Sequence, residues 1–225
     1  MKPQPDSCKR ERHMPIVWFI RHGESESNAN LKTTHPAESA ITPKGEREAR
    51  RIVAAFETAP DLIVVSPFLR ARQTAVPTQQ AFPGTPVETW PVEEFTYLHP
   101  RHYDGTTGAE RRQIAVAYWE ANDPFRKDGG EGESFAELLA RTEAVKNRLA
   151  ASSARFIALF SHGLFLRALL HAEIMSSYAP TPRMMERYSH FVRGVHMPNG
   201  AILKANVEAN GRFTFSGIDA AHLTA

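Results

Sequence analysis

The run Ile16-Val17-Trp18-Phe19-Ile20-Arg21-His22-Gly23-Glu24-Ser25 decides the fold. Its first five residues are apolar, β-branched or aromatic, and too few for a helix, so they read as a buried strand. That strand delivers Arg21 and His22 to its C-terminal edge, and Gly23 lets the chain turn there without a side-chain clash. In an open α/β sheet, ligands bind in the crevice outside the carboxyl ends of the strands. The question is then whether other strands bring matching chemistry to the same edge.

Two do. Leu62–Val65 ends at Ser66-Pro67, with Arg70 one turn further on, and Arg155–Phe160 ends at Ser161-His162-Gly163. A short strand at Val87–Thr89 is followed by a loop carrying Glu93 and Glu94. If the strands are parallel neighbours, His22, Arg70 and His162 converge.

Helical patterns fill the intervals. Thr42-Pro43 opens a helix running to about Glu57, Thr42 as N-cap and Pro43 in the first turn. A second helix starts near Phe68, with Ser66 as its expected cap, and another spans about Ala109–Ala121. Ser134 caps a long helix to about Ala151 whose core face is Phe135, Leu138, Leu139, Val145 and Leu149, and Leu164–Ala172 is helical. Ala201–Val207 and Arg212–Ser216, joined by Ala209-Asn210-Gly211, read as a terminal hairpin or a strand plus an edge strand. Alternating strands and helices predict an α/β fold, a three-layer α/β/α sandwich around a mainly parallel sheet with an edge strand. Residues 15–225 are expected to form a single domain, with inserted lid segments at about 95–130 and 173–198, both irregular and rich in basic and aromatic residues.

Composition narrows the function. The chain has 225 residues and a net charge of +2, too balanced to suggest nucleic acid or an anionic membrane as partner. The one cysteine, Cys8, allows no intramolecular disulfide, and a cytoplasmic location fits. No apolar run approaches the roughly 20 residues that span a bilayer. Residues 1–14 are polar and basic, and read as a disordered extension.

Guanidinium groups bind phosphate oxygens in bidentate fashion and keep their charge. A neutral imidazole is a competent nucleophile toward phosphorus, and neighbouring cations favour the neutral form. Arg21 and Arg70 would therefore hold a phosphoryl group and keep His22 unprotonated, a protonated His162 would add positive charge, and Glu93 or Glu94 would serve as acid and base. Nothing has metal-ligand spacing, and no cofactor is expected.

The sequence resembles the histidine phosphatase superfamily, the phosphoglycerate-mutase-like group. The resemblance rests on five pieces in family order across roughly residues 15–207: Arg21-His22-Gly23-Glu24-Ser25 with Asn28; Ile41-Thr42-Pro43-Lys44-Gly45; Ser66-Pro67-Phe68-Leu69-Arg70-Ala71-Arg72-Gln73-Thr74; Glu131-Gly132-Glu133-Ser134-Phe135; and Ser161-His162-Gly163. It implies a metal-independent hydrolase acting through phosphohistidine at His22, with Arg21, Asn28, Arg70 and His162 at the phosphate; Ser25 either joins them as a phosphate ligand or satisfies loop backbone. It also implies Glu94 as the acid/base, because Glu94-Phe95-Thr96-Tyr97-Leu98 resembles the family pattern there. The substrate is expected to be a phosphorylated small molecule. A mutase would use the same residues, but the Glu-Arg-His-Tyr-Gly run of mutase-type members is absent; a catalytically silent phosphate-binding protein is the third reading. Glu48, where the family often has glutamine, reads as helix surface. Arg72 and Arg111 read as solvated, and His35, His171, His190, His196 and His222 as surface or packing residues.

Overall fold

The computed structural model describes residues 14–208 and 210–224. The expectation of a disordered extension over 1–14 lies, Met14 apart, outside the described residues, as do Cys8 and Ala209. Six strands form one sheet: β1 (Ile16–Arg21), β2 (Leu62–Val65), β3 (Val87–Thr89), β4 (Phe156–Ser161), β5 (Ile202–Val207) and β6 (Phe213–Asp219), in the order β3-β2-β4-β1-β5-β6. The first four in that order run parallel, and β5 and β6 are antiparallel additions. The α/β fold predicted from the sequence is the observed one.

Register places the site. β1 pairs with β4 so that Arg21 stands opposite Ser161, and β4 pairs with β2 so that Phe160 stands opposite Val65. The residues that follow, His22, His162 and Ser66, therefore leave three adjacent strands at one level. Side chains alternate across the pleat, so Val17, Phe19, Val64 and Leu159 pack on one face while Ile20, Ile63, Val65 and Phe160 pack on the other.

The helices are α1 (Pro43–Ala54), α2 (Leu69–Ala81), α3 (Arg112–Ala121), α4 (Phe135–Ala150), α5 (Gly163–Met175) and α6 (Pro182–Gly194). Ile52 of α1 and Ala75 of α2 belong to the smaller core cluster, and buried residues of α4, α5 and α6 to the larger one. Thr42 caps α1 through Gly45 N–H, and Ser134 closes a capping box with Glu137 on α4. All five residues expected on the core face of α4 are buried.

Two expectations change. Ser66 is not the N-cap of α2; Phe68 occupies that position without a side-chain cap, and the Ser66 hydroxyl turns to His162. Segment 173–198 is no irregular lid, because it contains α6, which buries Met184, Met185 and Tyr188 and donates the Tyr188 hydroxyl to Leu164 O at 2.8 Å. The missed signal was Thr181-Pro182, the same N-cap and first-turn pair that marked α1: Thr181 accepts from Met184 N–H.

Candidate active site

His22 is 2% exposed and sits where β1 ends. Its two ring nitrogens are assigned by their partners. Gly23 O can only accept, so Nδ1, 2.7 Å away, carries the proton. Arg70 Nε–H can only donate, so Nε2, 3.1 Å away, presents its lone pair. Burial, then the charges of Arg70 and Arg21, hold the His22 pKa well below the ordinary histidine range. The imidazole is thus neutral, in one tautomer, and bare at Nε2 except for Arg70.

Arg70 is buried in the first turn of α2 and is also fixed by Nη1 to Pro36 O at 2.6 Å. Burial brings its pKa down to about 10, opposed by the Glu94 carboxylate. Arg21 donates through Nη1 to Met197 O, while its Nε is buried without a partner among the described residues. His162 lies with its ring centroid 5.0 Å from that of His22 and bonds Ser66 Oγ through Nε2 at 2.7 Å. Its Nδ1 is likewise buried and unpartnered among the described residues. Burial and the neighbouring Arg70 also hold the His162 pKa well below the ordinary histidine range, which works against the protonated form that would add positive charge.

Glu93 and Glu94 part company. Glu94 faces the pocket, and its Oε1 accepts from Leu164 and Phe165 N–H, at 2.9 and 3.2 Å, at the N-terminus of α5. That end of a helix is where a carboxylate is favoured. Glu93 does not line the pocket; it is 3.8 Å from Arg141, which also donates to the backbone carbonyls of Pro91 and Glu93 and pairs with Glu133. Arg141, not singled out in the sequence, anchors the loop that presents Glu94. It also gives Glu133 its role at the start of α4.

Ser25 is buried and Asn28 exposed; both line the pocket, and Asn28 Oδ1 accepts from Ser25 N–H, Ser25 Oγ and Asn199 Nδ2. Asn199 also donates to His22 O at 3.1 Å. In the sequence it read only as half of an Asn-Gly turn. The pocket, about 230 Å³, takes in His22, Ser25, Asn28, Arg70 and Glu94; Arg21 and His162 adjoin His22 without being among its lining residues. From the first lid segment come Tyr97, Tyr103 and Arg111, whereas no residue of 173–198 lines it.

Other motif residues build the frame. A Cβ on Gly23 would meet Gly45 O at 2.6 Å, and one on Gly45 would meet Glu24 O at 2.1 Å. Gly23 is thus required by close approach, not by a left-handed φ. Glu24 accepts from Thr42 Oγ1 at 2.9 Å and pairs with Lys44 at 2.7 Å. Thr74 Oγ1 accepts from Gly23 N–H at 3.0 Å, and Gln73 Oε1 from Ile41 N–H at 2.9 Å. Glu48 is no surface residue: it is buried and accepts from Glu24 N–H at 2.7 Å. Arg111 is buried too, not solvated, and His35 lines the pocket. Arg72 is exposed, as expected. Among the described residues no group of histidines, cysteines and carboxylates has metal-holding geometry, and no helix is long and apolar enough to cross a membrane.

Comparison with known proteins gives the family and the fold. A family model described as the histidine phosphatase superfamily (branch 1) matches residues 17–189. A curated Escherichia coli protein named "Probable phosphoglycerate mutase GpmB" is 31% identical over 162 residues, covering 68% of this chain and 72% of its own. The α-ribazole phosphatase of Shigella flexneri superposes with a TM-score of 0.70 at 20% identity, covering 91% of this chain and 96% of that one. Phosphoserine phosphatase of Entamoeba histolytica, solved in complex with 3-phosphoglyceric acid, gives 0.70 at 19% identity over 93% of this chain and 100% of that one.

Proposed function

Because the chain belongs to the histidine phosphatase superfamily (branch 1), we propose that it is a phosphatase that hydrolyses a phosphate monoester or anhydride of a small molecule through phosphohistidine at His22. The observation that carries the reading is the fixed tautomer of His22, with Nδ1–H on Gly23 O and the Nε2 lone pair toward Arg70. A phosphoryl group entering the pocket draws the Arg70 guanidinium onto its oxygens, because a charge-assisted bidentate bond outweighs the bond to a neutral ring. Nε2 then attacks phosphorus in line as the ester P–O bond breaks. Arg21 Nε and His162 Nδ1, both buried without a partner among the described residues, supply further contacts to the equatorial oxygens, with Ser25 and Asn28 at the rim. Glu94 takes onto its free Oε2 the proton that a substrate phosphate monoanion brings in, passes it to the leaving oxygen, and later takes one from the water that cleaves the P–N bond.

His22→Ala is expected to abolish release of inorganic phosphate from p-nitrophenyl phosphate and to remove acid-labile, base-stable labelling by a phosphorylated substrate. Full activity in that variant would sink the proposal. A mutase is the second reading, favoured by the name of the Escherichia coli relative. Inorganic phosphate without isomerised product distinguishes the two. We place the activity in the cytoplasm, with no metal or cofactor required.

A further inference from the structure

Asn199 stands in the turn between α6 and β5, outside the five motif pieces and beyond residue 189, where the family match ends. Its partners nevertheless belong to the site. His22 O and Asn28 Oδ1 can only accept, so the Asn199 amide meets them with Nδ2, at 3.1 and 2.9 Å, one N–H for each. Its neighbours grip the same strand end: Gly200 N–H donates to Arg21 O and His22 O, both at 3.1 Å, and Met197 O accepts from Arg21 Nη1.

Asn28 Oδ1 is the crowded atom. Ser25 N–H, a group that can only donate, reaches it at 3.2 Å, Ser25 Oγ at 3.0 Å and Asn199 Nδ2 at 2.9 Å. A carbonyl oxygen has two lone pairs, so three donors saturate it and fix which way the amide points. Asn28 Nδ2 has no hydrogen-bond partner among the described residues, and Asn28 lines the same pocket as His22 and Arg70. Two N–H groups are thus left for a ligand. The bonds from Ser25 belong to the turn that Asn28 itself forms and move with it. Among the described residues only Asn199 ties the Asn28 side chain to a distant part of the chain, and the same nitrogen reaches the carbonyl of His22.

We propose that Asn199 is a positioning residue: it holds Asn28 with Nδ2 toward the bound phosphoryl group and keeps that donor in register with His22. The inference rests on the phosphatase reading of the pocket, and it is tested by anion affinity as well as by turnover, so the two fail separately. Titration calorimetry with inorganic phosphate and with vanadate, and kcat and KM for p-nitrophenyl phosphate, are compared in the wild type, Asn28→Ala, Asn199→Ala and the double variant. Asn199→Ala is expected to lose about tenfold in kcat and in vanadate affinity, the order of one charge-assisted hydrogen bond, while KM changes by no more than about threefold. In the Asn28→Ala background the same substitution is expected to cost no more than about twofold, because a residue that acts through another is not additive with it. Asn199→Asp keeps the shape but, as a carboxylate, has no N–H to give; it is expected to lose at least as much as Asn199→Ala at pH 7.5, and it carries the same cycle if the alanine variant does not fold. Wild-type kcat in Asn199→Ala, wild-type anion affinity in Asn199→Asp, or losses that multiply in the double variant overturn the inference. A purely structural Asn199 shows itself as a lower urea midpoint with no coupling to Asn28. Full phosphate release by His22→Ala protein sinks the catalytic reading instead, and the anion titrations then still decide the role of Asn199.

Discussion

An unfolded histidine takes up a proton near pH 6.5, whereas His22 and His162 are held neutral well below that pH by burial and by Arg70. Between the unfolded pKa and the lower folded ones, the unfolded chain binds protons that the folded protein does not. Stability is therefore complete above about pH 6.5 and falls on acidification by about 1.4 kcal/mol per pH unit for each histidine, about 2.7 for the two together. Urea midpoints at pH 7.5, 6.5 and 5.5 should show this slope, and His22→Gln should roughly halve it. At this scale the sequence was most legible where chemistry is rare: a histidine and an arginine at strand ends announce themselves. It was least legible where a common residue is buried by distant partners. Glu48 looked like helix surface because its neighbour across the fold, the Glu24 N–H, is 24 residues away. Arg111 looked solvated because the threonines that hold it are not visible as a pattern.

The loop after β1 and the N-terminus of α1 meet at two glycines with no room for a side chain. Gly45→Ala places a carbon 2.1 Å from Glu24 O, so the loop carrying His22 must move. A loss of about 3 kcal/mol in urea unfolding is expected, together with a fall in phosphate release. Gly84→Ala, where nothing lies within 4 Å of the added carbon, should stay within about 0.5 kcal/mol of wild type. The segment Ile41–Gly45 thus serves as a clamp on the loop that carries His22; membership in a motif is not membership in the site. Strand and cap patterns were readable here because they are local: Thr42-Pro43 and Ser134 with Glu137 satisfy their own helix ends. The same local chemistry at Thr181-Pro182 was obscured by the surrounding exposed arginines and by Tyr188, whose burial depends on α5 and on the aromatic cluster of Trp119 and Phe135. The boundary of α2 failed for a related reason, since Ser66 spends its hydroxyl on another strand's histidine.

Across the molecule, strand order brings the chemistry together. β1, β4 and β2 are immediate neighbours, so residues 22, 66 and 162 meet although 140 positions separate the first from the last. The parallel sheet was predictable from alternation; the order β3-β2-β4-β1 needed long-range pairing that no local pattern reports. The net charge of +2 conceals the concentration of buried cations in the cavity. An anion that binds there should stabilise the whole fold by mass action: phosphate or vanadate at 100 times its Kd adds about 2.7 kcal/mol, or roughly 5–11 °C in melting temperature for a chain of this size. Arg70→Met should lose most of that rise in a thermal melt. The Arg70 Nε–H resting on the His22 lone pair gives this architecture a property in selection. On the proposed reading, an uncharged ester offers the guanidinium nothing better than the imidazole it already holds, and so meets a stoppered His22. Only an incoming anion would draw the stopper, so that discrimination begins before any part of the leaving group is read.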